Sequence, residues 1–155
     1  MRKFLIVLLS LFVPLACSYD NNNLISIKAN DSVKETTDRL ESFLKEKGLT
    51  VFARINHAEG AKRIGKDLRP TELLIFGNPK AGTPLMQCKQ TMGIDLPLKV
   101  LIWQDEKGQV WLTYNNPEYL ASRHRLAGCA ENVIKGMGDK LSTITHKVAK
   151  PIAKP

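Results

Sequence analysis

Residues 72–114, ELLIFGNPKAGTPLMQCKQTMGIDLPLKVLIWQDEKGQVWLTY, pass from a strand to a helix to a hairpin within one stretch, and that order decides the fold class. Glu72 to Phe76 carries Leu73, Leu74 and Ile75 in succession, the pattern of a strand covered on both faces and placed centrally in its sheet. Gly77, Asn78 and Pro79 form a turn, after which Thr83 and Pro84 suit an N-cap and first helical residue. The helix is expected to reach about Met92 and to close at Gly93. Leu96 to Trp103 and Gln109 to Tyr114 are apolar-rich runs, and Asp105, Glu106, Lys107 and Gly108 between them make a hairpin loop.

Upstream, Leu24 to Lys28 alternates as a half-buried strand does. Ser32 and Glu35 then have capping-box spacing, Val33, Thr36, Leu40, Phe43 and Leu44 recur at helical steps, and Gly48 stops the helix. From Leu49 to Asn56, alternation points Val51, Ala53 and Ile55 one way and Phe52 and Arg54 the other. His57 to Ile64 reads as a short helix ended by Gly65. Downstream, Asn116 and Pro117 repeat the cap-and-first-turn logic. Val133, Ile134, Met137, Leu141, Ile144 and Val148 form the stripe of a long amphipathic helix laid across the sheet. The expected fold is α+β: a two-layer sandwich of a mixed or antiparallel sheet of about five strands, with helices mainly on one face.

Arg2 and Lys3, the apolar run Phe4 to Val13, and the small residues Ala16 and Ser18 have the form of an export signal over residues 1–18. So short a run falls far below the roughly 20 residues that span a bilayer. Cleavage after Ser18 would start the mature chain at Tyr19; cleavage after Ala16 would expose Cys17 for lipidation, although Pro14 departs from the lipoprotein pattern. The expected location is the periplasm or cell envelope, with residues 19–149 as a single domain and Asn21 to Asn23 as a short tether. Loss of Arg2 and Lys3 lowers the formal charge of +8 by two and leaves a basic chain. Residues 150–155, KPIAKP, read as a flexible basic tail that could meet an anionic membrane. Nucleic acid is not expected as a partner of an exported chain that lacks interleaved aromatic and basic residues.

HAEGAKRIG at 57–65, LLIFGNPKAGTPLMQ at 73–87 and DLPLKVLIWQDEKGQVWLTYNNPEYLASRH at 95–124 resemble the bacterial and archaeal family called domain of unknown function 302. The resemblance covers about residues 24–149. It implies a compact α+β fold, often self-associating, with no settled activity. The export signal, Cys88, Cys129 and the basic tail depart from a minimal member of the family.

Candidate chemistry is sparse. Gly77, Asn78, Lys80, Gly82 and Thr83 lie at a helix start whose free amides, with the Lys80 charge, would suit a small anionic ligand. His57, Glu59 and His124 could hold haem or a metal, or form an acid–base pair, if the fold brings the histidines together. No H-E-x-x-H, C-x-x-C or G-x-S-x-G pattern occurs, so neither a local metal motif nor a nucleophile elbow is written in the chain. Cys88 and Met92, with Met86 nearby, would share a helical face and offer soft ligands to Cu(I). Cys88 and Cys129 are alternatively a disulfide pair. Asp105 and Glu106 belong to a hairpin tip, while Trp103, Trp111 and Tyr114 are expected mainly in the core. The leading expectation is a non-catalytic module that binds a small ligand. Its alternatives are a haem- or metal-binding protein using His57 and His124, and a self-associating envelope protein, a homo-oligomer.

Overall fold

The computed structural model describes residues 23–150. The segment read as an export signal, Cys17, two of the three asparagines read as a tether and residues 151–155 lie outside the described residues.

Strands β1 (Leu24–Ala29), β2 (Thr50–Asn56), β3 (Thr71–Gly77), β4 (Leu98–Gln104) and β5 (Val110–Asn115) form one sheet. Their order is β1-β5-β4-β3-β2, and every neighbouring pair is antiparallel. β4 is thus central and β3 lies beside it, one place from the centre assigned to it by sequence. Within β3, Leu74 and Phe76 are fully buried while Leu73 and Ile75 are half-buried on the opposite face, so the triple apolar run is not evenly covered.

Two long helices cover the inner face. α1 (Val33–Glu46) begins with the capping box: the Glu35 amide donates to the Ser32 hydroxyl, and the Ser32 amide donates back to the Glu35 carboxylate. It buries Val33, Leu40 and Leu44 against the sheet and against α5 (Glu131–Ala149). Ile134, Met137, Leu141, Ile144 and Val148 of α5 are buried, the stripe expected from their spacing. Each such side chain withdrawn from water contributes roughly 1.5–3 kcal/mol toward the cost of ordering the chain. Shorter helices α2 (His57–Arg63), α3 (Pro79–Cys88) and α4 (Pro117–Arg123) connect the layers. The fold is an α+β sandwich.

Three local expectations change. First, α3 starts at Pro79 with Asn78 as its N-cap, five residues before the cap proposed at Thr83. Asn78-Pro79 has the same cap-then-proline chemistry as Thr83-Pro84, and the earlier pair follows directly on β3. Pro84 then falls inside the helix, which ends at Cys88 and passes into a 3-10 turn, Gln90–Ile94, that contains Gly93. Second, β2 carries a bulge at Phe52: Val51 faces Phe76, but Ala53 faces Ile75. The extra residue reverses the alternation beyond it, so Arg54 joins Val51 on the helix-covered face and Ala53 and Ile55 turn to the other. Third, of the three hairpin aromatics only Tyr114 enters the core, at 3% exposure. Trp103 and Trp111 pair directly across β4 and β5 on the face away from α1 and α5.

Candidate functional site

The end of β3, the start of α3, the segment before β4 and the middle of α5 enclose a two-compartment cleft. The outer compartment, about 310 Å³, is walled by Phe52, Pro79, Thr83, Met86, Leu96 and Pro97. The inner one, about 460 Å³, lies against α5 and is lined by Phe76, Val133, Leu141 and Ile144, with Lys80, Lys140 and Asn132 among its polar members. Gly77, Asn78, Ala81, Leu98 and Met137 line both, so the compartments are adjacent and share a wall. Both volumes fall within the roughly 300–1,000 Å³ of ordinary small-molecule sites.

Local geometry explains why the cleft is here. The chain turns from β3 into α3 at Gly77, where an added Cβ would come within 3.5 Å of the Pro97 side chain and 3.6 Å of Phe52. The bulge that displaces Phe52 also makes it the outer wall, still 54% exposed. The first turn of α3 is closed to an anion at its amides. Pro79 has no N–H, the Lys80 amide donates to the Asn78 side chain at 2.9 Å, and the Ala81 and Gly82 amides donate to the Asn78 carbonyl. What Gly77, Asn78, Gly82 and Thr83 contribute is therefore the wall of an apolar cleft, and positive charge comes from lysine side chains.

The two histidines are held apart. His57 is exposed at the start of α2, whose cap Asn56 accepts the Glu59 amide at 2.9 Å; Asn56 faces Glu72, which faces Ile102 at the far end of β4. His124 lies at the other end. Its Nε2 is 2.6 Å from Asp95, just ahead of β4, and its Nδ1 is 3.2 Å from the Thr91 hydroxyl. His124 is 7% exposed, and Arg123 also reaches Asp95 at 3.2 Å. The pairing of His57 with His124 as ligands, or as acid and base, is not formed. Nor do three or more His, Cys, Asp or Glu residues form a metal-sized cluster among the described residues.

Cys88 and Cys129 are joined in a disulfide. That removes Cys88 as a copper ligand, and Met92 is buried in the 3-10 turn beyond the helix instead of sharing its face. The disulfide and the Asp95–His124–Thr91 contacts fasten the same two segments, 88–95 and 123–129, the first of which runs between the cleft residues Met86 and Leu96. Asp105 does structural work: it accepts from the Trp111 indole and from the Lys107 and Gln109 amides, all at 2.9 Å. The Trp111 hydrogen bond is the main cause that holds its carboxyl below its ordinary value. Burial pushes the Tyr114 phenol up.

Sequence reading passed over one cluster. Arg54 donates to Glu72 and Asp38 at 2.6 Å each and lies 3.4 Å from Glu41, tying α1 to β2 and β3. A charged residue midway along an apolar strand and another opening its neighbour were the available signal.

The class is thus a single-sheet α+β sandwich with an apolar cleft at one end of its sheet. A family model, Domain of unknown function DUF302, matches residues 25–144. The chain belongs to that family. A crystal structure of an uncharacterized conserved protein DUF302 from Bacillus stearothermophilus superposes with a TM-score of 0.73 at 20% identity, covering 81% of this chain and 97% of that one. The likeness is one of fold. A protein of Brucella suis biovar 1 (strain 1330) named fluoride-specific ion channel FluC 1 is 44% identical over 138 residues, 89% of this chain and 54% of that protein. A protein of the same name from Brucella abortus biovar 1 (strain 9-941) has the same identity, with 51% of its length covered. The chain spans about half the length of these curated relatives.

Proposed function

We propose that this chain is a non-catalytic binding module of the cell envelope that takes a small, largely apolar molecule into the two-compartment cleft. The observation that carries the reading is the cleft's composition: largely apolar walls, no acidic residue among the described residues lining either compartment, and few polar groups, the charged ones confined to the inner compartment. Such a surface favours apolar ligands and offers no nucleophile with an attendant base. Export is supported by the N-terminal sequence, and the Cys88–Cys129 disulfide suits an oxidising compartment. The test is a fluorescence titration with the neutral probe N-phenyl-1-naphthylamine. Saturable binding is expected in the wild type and loss of it in Ala81→Leu and Gly136→Leu, each checked for folding by thermal melting. A Cβ at Gly136 meets nothing within 4 Å, so that variant fills the cleft without a clash at its first atom. Binding unaffected by both fillings would refute the reading.

A second reading is favoured by the Brucella relatives, in which a domain like this one makes up about half of proteins named fluoride-specific ion channels. Among the described residues no helix is long and apolar enough to cross a membrane. On this reading the chain is an accessory to a transport protein and conducts nothing itself. Fluoride release from vesicles reconstituted with this chain alone would refute it.

A further inference from the structure

We infer that the cleft's occupant is a single-chain anionic amphiphile of the medium-chain carboxylate kind, its chain in the outer compartment and its head within reach of Lys80 and Lys140. This deepens the binding reading above and rests on it. The argument is one of charge set against shape. Among the described residues that line it, the outer compartment carries no charged side chain, so it suits hydrocarbon. The inner compartment carries two, Lys80 and Lys140, both cationic. No Asp or Glu occurs between Leu73 and Ile94 or anywhere after Lys140, and Asp139, the acid next to Lys140, lies 3.6 Å from Lys135. The lysines thus line one compartment without an acidic residue among its described lining, although they come from segments sixty residues apart in sequence.

A carboxylate completes this arrangement better than a neutral head, which leaves both charges without a counterion, and far better than a cationic one. A multiply charged anion without a chain would leave the outer compartment unfilled, so apolar burial would contribute nothing to holding it. The chain enters past Ala81 and Met137, which line both compartments, and this sets its direction.

The experiment displaces N-phenyl-1-naphthylamine from the full chain with decanoate, decanol and decyltrimethylammonium. Decanoate is expected to bind more tightly than decanol by about fivefold per lysine, or roughly 25-fold for the pair, the upper range for exposed ion pairs. Decyltrimethylammonium should bind more weakly than decanol. In Lys80→Gln/Lys140→Gln the decanoate-to-decanol ratio should fall toward one, whereas Lys62→Gln on α2 should leave it unchanged. The ratio should also shrink as salt is raised. Equal affinity for decanoate and decanol, with the probe still displaced, overturns the anionic head and leaves the apolar cleft standing. Failure of the probe to bind at all overturns both. Sedimentation with phosphatidylglycerol vesicles without any displacement by decanoate would assign the lysines to a membrane surface and likewise overturn the proposal.

Discussion

Arg54→Met should destabilise the domain by about 2–4 kcal/mol, almost all of it through Glu72. Of the three carboxylates around Arg54, Asp38 and Glu41 keep other partners, Lys34 at 2.7 Å and Lys45 at 2.6 Å, and their side chains remain 43% and 25% exposed. Water screens such groups, so each loses at most about 1 kcal/mol. The Glu72 side chain is 8% exposed, and beyond Arg54 its described contact is the Asn56 amide at 3.4 Å. Stripping the partner from a buried, hydrogen-bonded charge costs about 3–5 kcal/mol, discounted here because the Arg54 side chain is itself 29% exposed. Urea denaturation at pH 7 measures the loss, and a melting temperature lower by roughly 8–15 °C should accompany it. The decisive comparison is the double variant Arg54→Met/Glu72→Gln, which removes the stranded charge and should recover at least about 1.5 kcal/mol. A cost below about 0.5 kcal/mol for Arg54→Met, or no recovery in the double variant, would refute the assignment of this cluster as the tie between α1 and the sheet.

Three further outcomes follow from the same geometry. Reducing Cys88–Cys129, or replacing both residues with Ala, should lower stability by about 3–4 kcal/mol in the chain-entropy account, given the separation of 41 residues, as read by thermal melting with and without reductant. The Thr36 hydroxyl is fully buried and has no hydrogen-bond partner among the described residues, so Thr36→Val should raise stability by about 1 kcal/mol; a loss in urea titration would show that the hydroxyl is satisfied in solution. Side-chain hydrogen bonds from Lys34 and Arg54 hold the Asp38 carboxyl below its ordinary value, Lys45 does the same to Glu41, and the Trp111 indole to Asp105. Groups depressed in the folded state bind more protons when unfolded, so their contribution is complete above the ordinary carboxylate range and lost as pH falls through the depressed values. Melting temperature should therefore decline from about pH 4.5 downward, and a flat profile from pH 5 to 3 would contradict these contacts of the three carboxyls.

Where one residue type permits one geometry, the chain was readable without coordinates. Ser32 with Glu35, Asn116 before Pro117, and the stripe on α5 each declare an element because their physics is local. The difficulties arise where two local rules compete. Asn78-Pro79 and Thr83-Pro84 satisfy the same cap, and only the end of β3 decides between them. Alternation along Thr50 to Asn56 is interrupted at Phe52, an apolar residue where a polar one is due, and the pairing of Val51 with Phe76 and Ala53 with Ile75 places a bulge at that residue, a shift that a plain period of two does not register. That one-residue slip sends Arg54 under α1, and with it went the ion cluster that sequence reading missed. The cleft was half legible. Gly77 to Met86 was singled out for its turn-formers, but its opposite wall, Met137 and Lys140, comes from a helix whose stripe looked wholly structural.

Such double duty bears on the proposed binding site. Phe76 and Met137 belong to the core and also line the inner compartment, so replacing either to reshape the site would cost packing energy. The apolar floor is bound to the fold, and a superposition at 20% identity shows how far sequence can drift while that fold persists. Lys80 and Lys140 have no such tie: both are exposed, neither contributes to the core, and either could be exchanged without disturbing a strand or a helix stripe. On the proposed binding, affinity for an apolar body should therefore be hard to lose, whereas choice of head group would rest on Lys80 and Lys140, which can change freely. Exchanging both lysines for glutamate should then reverse the preference from decanoate to decyltrimethylammonium at little cost in melting temperature. A large loss of stability in that variant would mean that the two cations belong to the fold and not to the site.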